Sequence, residues 1–285
     1  MQTQVSYCET VTEMSWACRL ASGPIKLRLP SKIAAGYDMT LSCEYPVELE
    51  AAGEEAYIFY NGSAKWTLEF RCPDLTVPGS MSFDGDSRPG VGGLRWMGAG
   101  RFVIDGAEFR DFLSDPLMIH AAAGATVEVR NIHAHDCATA GARHEHVIYC
   151  ENQANTQVRI IGNTFTNCGN ALVTSPHGQV VIAQNVIDGF PDVPYDAKDP
   201  RLVKAPAFIL YGKKTVCVQN IFKGQTDKPA YWLTEEADYA IHQNDYTKLE
   251  FDPSRFFSVT NVGTYNLAEW QTRGHDLRST FGETP

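Results

Sequence analysis

The sequence lacks several features that define large classes of protein. It contains no run of about 18 apolar residues, which excludes a membrane-spanning helix. The first residues show no basic segment followed by an apolar stretch, so no classical secretion signal is recognised. A cytoplasmic location is therefore expected, or a secreted one if a leader has been removed from the chain.

Basic charge and paired cysteines are also scarce. The 285 residues contain 24 Lys and Arg against 34 Asp and Glu, giving a formal net charge of −10. A field of that sign repels nucleic acid and anionic membranes, and it disfavours a polyanionic substrate unless local cations outweigh it. The eight cysteines form no CxxC pair, which argues against a zinc ribbon, and we expect reduced thiols with several in the core.

What the sequence does contain is a repeat. Short alternating apolar runs end at an Asn in five places, and a degenerate copy ends earlier at Ala107; the five are Asn131, Asn163, Asn185, Asn220 and Asn244. The steps between successive anchors are 24, 32, 22, 35 and 24 residues. A step of 22–24 residues is too short for a strand–helix–strand unit but suits a coil of three short strands. The repeat therefore predicts a right-handed parallel β-helix in which an Asn ladder joins neighbouring coils.

The repeat also predicts how the chain is divided. We expect one domain, with an irregular N-terminal cap and early coils in 1–100, regular coils in 101–265, and a closing segment in 266–285. A cap is expected because an open end would expose an unpaired strand edge. The Gly-rich segment 79–101 is expected to be a loop.

The Asn-ended coils resemble those of the pectate-lyase-like right-handed β-helix superfamily. The run from Asn266 to Ser279, with a Trp-Gln pair followed by Gly-x-Asp-x-x-Ser, is similar to tails that close many bacterial β-helix proteins of polysaccharide metabolism. The resemblance covers about residues 100–285 and implies the fold, which hosts lyases, hydrolases, epimerases and non-catalytic spikes. The galacturonan-hydrolase signature and the Trp-Ile-Asp-His motif of pectate lyases are absent, so neither activity is carried over.

The two longest steps indicate where a site would lie. Their insertions, near 137–144 and at 190–206, both follow the Asn turn and precede the next strand, two coils apart. Because coils stack at roughly 4.8 Å, the insertions should emerge on one side, roughly 10 Å apart, and wall a groove. The alternative is that both loops merely cover a sheet edge.

The candidate site residues come from these insertions and their neighbours. Half of the eight histidines lie at the first insertion, and histidines and carboxylates are the usual proton-transfer groups near neutral pH. The candidate catalytic residues are His135, Asp136, Arg143, His144, His146 and Tyr149. The candidate substrate-binding residues are Asn167, Tyr195, Arg201, Lys204 and Lys213, whose cations suit a carboxylate or sulfate group.

For three further side chains, a functional role is compared with a place in the hydrophobic core. His133 occupies a slot that Phe or Ile fills in other coils, so it is expected to be buried. Tyr231 and Trp232 have rings that suit sugar stacking, but Trp232 lies in an apolar strand and is expected in the core. No cofactor is expected and no metal ligand is assigned; the alternative is a divalent metal bound by the histidines.

Three functions remain open. The first is a carbohydrate-active lyase, epimerase or hydrolase acting on a glycan in a groove on the β-helix flank; in elimination or epimerisation a histidine removes the proton beside a carboxylate whose charge Arg or Lys neutralises. The second is an intracellular lyase, isomerase or cyclase for a small molecule. The third is a non-catalytic glycan-binding or spike-like β-helix. The expected partners are a glycan or small-molecule substrate, without nucleic acid or membrane, and the chain is expected to be a monomer or homotrimer.

Overall fold

Three long sheets organise the molecule. The computed structural model describes residues 2–36, 40–139, 146–174, 178–189, 207–210, 214–226, 230–233, 238–251, 256–259 and 263–282. Sheet I contains β1 (Gln4–Tyr7), β2 (Ile25–Leu29), β5 (Val47–Ala51), β8 (Leu75–Val77), β11 (Arg101–Asp105), β14 (Thr126–Arg130), β17 (Gln157–Ile161), β20 (Gln179–Ala183), β23 (Lys214–Val218) and β26 (Asp238–His242).

The other two sheets have the same size. Sheet II contains β3 (Lys32–Ala35), β6 (Ala56–Tyr60), β9 (Met81–Asp84), β12 (Glu108–Arg110), β15 (His133–His135), β18 (Thr164–Thr166), β21 (Val186–Asp188), β24 (Ile221–Thr226), β27 (Asp245–Phe251) and β30 (Thr280–Phe281). Sheet III contains β4 (Thr40–Ser42), β7 (Trp66–Arg71), β10 (Gly92–Gly98), β13 (Leu117–Ala121), β16 (His146–Asn152), β19 (Asn170–Thr174), β22 (Phe208–Leu210), β25 (Tyr231–Leu233), β28 (Phe257–Val259) and β29 (Gly263–Tyr265).

Strand order confirms the predicted parallel β-helix. Each coil of the regular stack contributes one strand to each sheet, and neighbouring strands run parallel, as β14 does beside both β11 and β17. The one antiparallel pair among the described strands is β28 with β29, at the end of sheet III. Side chains alternate between the inside of the coil and its surface, so Val158 and Ile160 are buried while Arg159 between them is exposed. Inward side chains of successive coils stack, as the Phe83 and Phe109 rings do with centroids 4.9 Å apart.

The Asn ladder is confirmed at the turn between sheets I and II. The side-chain amide of Asn163 donates to the Oδ1 of Asn185 at 2.8 Å, Asn185 donates to Asn220 at 2.9 Å, and Asn220 donates to Asn244 at 3.1 Å. Each Nδ2 also donates to a backbone carbonyl of an earlier coil. These buried amides supply partners to backbone groups that the turn would otherwise leave unpaired.

Asn131 was predicted to be a fifth member of the ladder, and this is wrong. Its backbone φ is 54°, and its amide donates instead to Asp105 at 2.7 Å on the surface. It matches Gln184 and Gln219, which precede the ladder Asn in later coils and also have positive φ, a conformation that Asn tolerates well. The ladder position of this coil is Ile132, whose N–H donates to Asn163 Oδ1 at 3.0 Å.

The C-terminal tail closes the ladder. Asp276 is buried and accepts hydrogen bonds from Asn244 Nδ2 at 3.1 Å, Trp270 Nε1 at 2.8 Å and Tyr246 Oη at 3.0 Å, as well as from the hydroxyl of Ser279. Trp270 belongs to the short helix α2 (Leu267–Thr272), which begins with a capping box at Asn266. The Trp, Asp and Ser of the tail motif therefore form one hydrogen-bonded end to the stack, with Trp270 and Asp276 buried.

The N-terminal end is capped by helix α1 (Val11–Leu20), which begins with a capping box formed by Thr10 and Glu13 and buries Val11, Met14 and Cys18. The segment 79–101 was expected to be a loop, but it contains strands β9 and β10. Its glycines are needed where the chain packs closely, since a Cβ on Gly92 would collide with the Trp66 ring. Neither α1 nor α2 is long and apolar enough to cross a membrane.

Three side-chain expectations can be compared with the structure. All eight cysteines are buried and free, as expected. His133 is exposed rather than buried, because Ala134 occupies the inward position that Phe165 fills in the next coil. Trp232 was expected in the core, but it lies half-buried on the outer face of sheet III, between the inward Tyr231 and Leu233.

Candidate active site

Both insertions connect a strand of sheet II to the next strand of sheet III in chain order. The first joins β15 to β16, and the second joins β21 to β22. Val147 alternates with the inward Ile148, so it points out of sheet III, yet it is completely buried. Other parts of the chain must therefore cover this edge of the sheet.

The predicted site residues divide among three locations. His135, Asp136 and Asn167 lie on or beside the outer face of sheet II. His146 and Tyr149 lie on β16 in sheet III. The remaining predicted residues fall outside the described part of the chain: Arg143, His144, Tyr195, Arg201, Lys204 and Lys213.

The outer face of sheet II carries two neighbouring sets of polar contacts, which together we call the sheet II network. One set is Tyr57, Asp84 and Arg110, and the other is Ser82, Glu108, His135, Asp136 and Asn167. Tyr57 Oη donates to Asp84 Oδ2 at 2.5 Å, and Arg110 Nε donates to the same oxygen at 3.1 Å. His135 lies between two carboxylates, 3.0 Å from Asp136 and 3.4 Å from Glu108. Every member of either set has a partner within it.

These contacts stabilise the ionised form of the carboxylates. Burial opposes ionisation of Asp84, but hydrogen bonds from Tyr57, the Asp86 N–H and Arg110 outweigh it and lower its pKa. The pKa of Asp136 is lowered by hydrogen bonds from His135 and Asn167. These acids are therefore ionised and paired at neutral pH, which is the behaviour of structural ion pairs rather than of proton donors.

The outer face of sheet III carries a further set, the sheet III network, made of Thr40, Glu69, Arg95, His120 and Glu151. Arg95 is its centre: Nη1 lies 3.0 Å from Glu69 Oε2, and Nη2 lies 3.2 Å from His120 Nε2. The guanidinium also stands over the Trp66 ring, 5.5 Å from its centroid. Its Nε is buried and has no hydrogen-bond partner in the described part of the chain.

His120 is held in one tautomer by its two neighbours. Arginine has donors only, so His120 Nε2 must accept from Arg95, and Nδ1 must carry the hydrogen that it donates to Glu151 Oε2 at 2.8 Å. Burial and then the positive charge of Arg95 lower the pKa of His120, against the opposing effect of Glu151 and Glu69. The imidazole is therefore neutral near pH 7, with a lone pair on Nε2 that faces a guanidinium.

A buried acid borders this network. Asp115 accepts a hydrogen bond from the backbone N–H of His146 at 2.6 Å, and burial raises its pKa to about 6. The ring of His146 stacks on that of Tyr149, with centroids 5.6 Å apart and an interplanar angle of 14°. Asp115 thus fixes the start of β16, the strand that presents Tyr149 and Glu151 on the outer face.

Sequence reasoning missed Glu69, Arg95, His120 and Glu151. They occupy outward positions in four neighbouring strands, β7, β10, β13 and β16. The register pairs Glu69 with Arg95 and His120 with Glu151, and it places His120 diagonally from Arg95, two residues further along β13. The available signal was the alternation of Arg95 with Leu94 and Trp96, hidden because the segment was interpreted as a loop. In the part of the chain that the structure describes, no three His, Cys, Asp or Glu side chains are arranged to hold a metal ion.

Comparisons with known proteins concern the fold. No protein-family model matches the sequence, and no curated protein matches it. An alginate lyase from Paenibacillus sp. str. FPU-7 superposes with a TM-score of 0.52 at 12% identity, over 92% of this chain and 99% of that one. The PL6 family alginate lyase AlyGC gives a TM-score of 0.54 at 12% identity, over 98% of this chain and 38% of that one. At such low identity the likeness shows the fold alone: the chain is a parallel β-helix.

Proposed function

We propose that the chain is a polysaccharide lyase that cleaves a uronic-acid-containing glycan on the outer face of sheet III. The observation that carries the proposal is the contact between Arg95 and the neutral His120, because these are the two groups that proton removal beside a carboxylate requires. The two structural neighbours are alginate lyases, and alginate is a polyuronate, which supports the same substrate class.

In the proposed step, Arg95 binds the carboxylate of a uronic acid unit. The charge that develops on the carboxylate as the neighbouring C–H bond breaks is stabilised by the guanidinium, a form of electrostatic catalysis. His120 Nε2 takes the proton, and Glu151 stabilises the imidazolium that forms. The electron pair of the C–H bond becomes the new carbon–carbon double bond, and the glycosidic oxygen leaves.

Tyr149 is proposed to protonate the leaving oxygen. Its strand, β16, lies beside the strand of His120, and Tyr149 pairs in register with Met118 on the outer face. The stacked ring of His146 holds its aromatic body in place. Arg143 and His144, predicted as catalytic residues, and Tyr195, Arg201, Lys204 and Lys213, predicted as substrate-binding residues, lie outside the described part of the chain and stay predictions.

His135, Asp136 and Asn167 have a structural role in this proposal. Their polar groups are already satisfied by one another, and the carboxylates around them favour the ionised form. We further propose that turnover needs no cofactor, because Arg95 supplies the positive charge at the carboxylate. Assays with and without a chelator test this point directly, and a loss of turnover on chelation would contradict it.

The test of the function is an activity screen of the full chain. Alginate, polygalacturonate and a neutral glycan are incubated with the wild type and with His120→Gln, and the ultraviolet absorbance of unsaturated products is followed. We expect product from at least one polyuronate, none from the neutral glycan, and none with the variant.

Other outcomes would replace the proposal. New reducing ends without unsaturation would indicate hydrolysis, and inverted uronate configuration without chain cleavage would indicate epimerisation. Saturable glycan binding without any chemical change would indicate a binding protein. Each outcome contradicts the lyase, and melting curves of both proteins establish that the fold is intact.

A further inference from the structure

Both ring nitrogens of His120 are engaged in the free protein. Nδ1 donates to Glu151, and Nε2 accepts from Arg95 Nη2. The lone pair that would act as a base therefore points at a guanidinium rather than at open space. A base in this arrangement cannot take a proton from carbon until Arg95 moves or exchanges its partner.

Arg95 has the means to exchange its partner. Nη1 is already bound to Glu69 at 3.0 Å, whereas Nε is buried with no hydrogen-bond partner among the described residues. An unpaired buried donor is costly, so Arg95 gains free energy when its side chain moves and brings Nε to an acceptor. A carboxylate offers two oxygens in the geometry that matches two guanidinium donors.

We infer that Arg95 is a substrate-responsive gate, which holds the His120 lone pair in the free protein and releases it when a substrate carboxylate takes over the guanidinium donors. The chemistry of this gate rests on the proposed function. The gate adds specificity for substrates that carry a free carboxylate. A neutral sugar or an esterified uronate carries no carboxylate that can engage Arg95. Such a ligand leaves the base masked even if it fits the groove.

The charges around His120 give the sign of the expected change. Arg95 on β10 lowers its pKa, while Glu151 on β16 and Glu69 on β7 raise it, and Arg71 also lies on β7, bound to Glu69. A bound carboxylate adds negative charge beside Arg95 and offsets the guanidinium. The pKa of His120 should therefore rise when a uronate binds.

The experiment follows the ring signals of His120 by NMR as the pH is varied, with His120→Gln identifying the signals. Galacturonate, mannuronate and guluronate monosaccharides are the probes, and glucose is the uncharged control. We expect at least one uronate to shift the His120 titration to higher pH and glucose to leave it unchanged. If no uronate moves the titration at saturating or very high concentration, the gate is refuted.

Two variants sharpen the test. In Arg95→Gln the titration should already lie at higher pH without ligand, and uronate should add nothing. The matched control is Arg101→Gln, which removes a guanidinium from the outer face of sheet I, where Arg101 pairs with Glu128; it should behave as the wild type. An equal uronate shift in Arg95→Gln and the wild type would overturn the gate.

The gate and the lyase can fail separately. A uronate-dependent shift without any unsaturated product would keep the gate and refute the lyase. Unsaturated product without a uronate-dependent shift of the His120 titration would refute the gate and keep the lyase. Where a polyuronate is cleaved, its methyl ester should react at least about 100-fold more slowly, the usual loss when a charge-stabilising contact is removed.

Discussion

Two outer faces of the same solenoid carry a histidine, an arginine and several carboxylates, but they differ in how their charges are satisfied. In the sheet II network, His135 lies between Glu108 and Asp136, and Arg110 is bound to Asp84. In the sheet III network, Arg95 reaches a neutral imidazole with one donor, and its Nε has no hydrogen-bond partner among the described residues. The first arrangement is complete without a ligand, and the second is not.

The charged form is favoured for the acids of one face and disfavoured for groups of the other. Asp84 and Asp136 in sheet II have lowered pKa values, so their charged forms are favoured. In sheet III, burial first and Arg95 next disfavour the charged form of His120, and burial disfavours the charged form of Asp115. Groups that are held away from their preferred ionisation state by burial in this way are typical of functional sites. Residue type alone would have assigned both faces the same role.

The largest contrast is expected between the two histidines. His120→Gln should lower turnover by about a thousandfold, within the range for loss of a general base, with little change in melting temperature. His135→Gln should leave turnover within about twofold while lowering the melting temperature slightly, because only polar contacts near the surface are lost. Steady-state kinetics and thermal melts of both variants are the measurement. Equal losses of activity in the two variants would mean that the faces share one role.

The two arginines give the next comparison. Arg95→Gln should reduce kcat/KM by about 100-fold or more, because the developing charge on the substrate loses its guanidinium. Arg110→Gln removes the partner of Asp84 on sheet II and should affect stability rather than rate. Arg95→Lys discriminates further, since a lysine keeps the charge but cannot form two parallel hydrogen bonds. A fully active Arg95→Gln would remove the basis for placing the site on sheet III.

The sequence predicted the fold because its signal is repeated. Equivalent turns are occupied by Asn163, Asn185, Asn220 and Asn244. Because the same local pattern recurs along the chain, it predicts parallel stacking of the coils, and the Asn ladder follows from that stacking. Asn131 was misassigned because the residue before the ladder position has positive φ, a conformation that Asn adopts more readily than most other residues do. A shift of one residue cannot be resolved where both neighbouring positions accept the same residue type.

The site was harder to predict because it depends on register between coils. Arg95 and His120 are 25 residues apart and meet only when β10 pairs with β13 in the observed register. A Gly-rich segment next to β10 concealed that strand. The prediction that Trp232 lies in the core was wrong for another reason. The three residues of β25 are all apolar, so alternation alone cannot say which of them faces outward.

The third comparison concerns two partly buried carboxyl groups, Asp115 and Asp84, whose substitutions should change stability in opposite directions. The pKa of Asp115 is raised to about 6, so its charged form costs stability above that pH, and stability should rise as the pH falls from about 7 towards 4. Asp115→Asn can still accept from His146 and should raise the stability at pH 7.5 by about 1–3 kcal/mol. That gain should vanish near pH 4.

Asp84→Asn is the counterpart on sheet II. The pKa of Asp84 is lowered, so its charged form adds stability above its usual pKa, and that stability is lost as the pH falls below it. The variant should therefore be less stable than the wild type at pH 7.5, by about 1 kcal/mol, and the loss should shrink at acid pH. Urea unfolding at several pH values measures both variants; changes of the same sign would contradict the distinction between the two faces.

The smallest effect is expected at the aromatic residues of the two faces. Trp232 lies on the outer face of sheet III, in the register column that leads from Tyr149 through β19 and β22, three strands or roughly 14 Å further along. A glycan that follows the sheet would reach this ring only if it is several sugars long. Trp232→Ala should therefore raise KM about three- to tenfold for long polyuronates, a loss of about 0.6–1.4 kcal/mol, and leave KM for short oligomers unchanged. Tyr57→Ala removes the corresponding outward ring from sheet II and should leave KM unchanged for both. A rise in KM that is the same for short and long substrates would show that Trp232 acts on the fold of the site rather than on a distant part of the glycan.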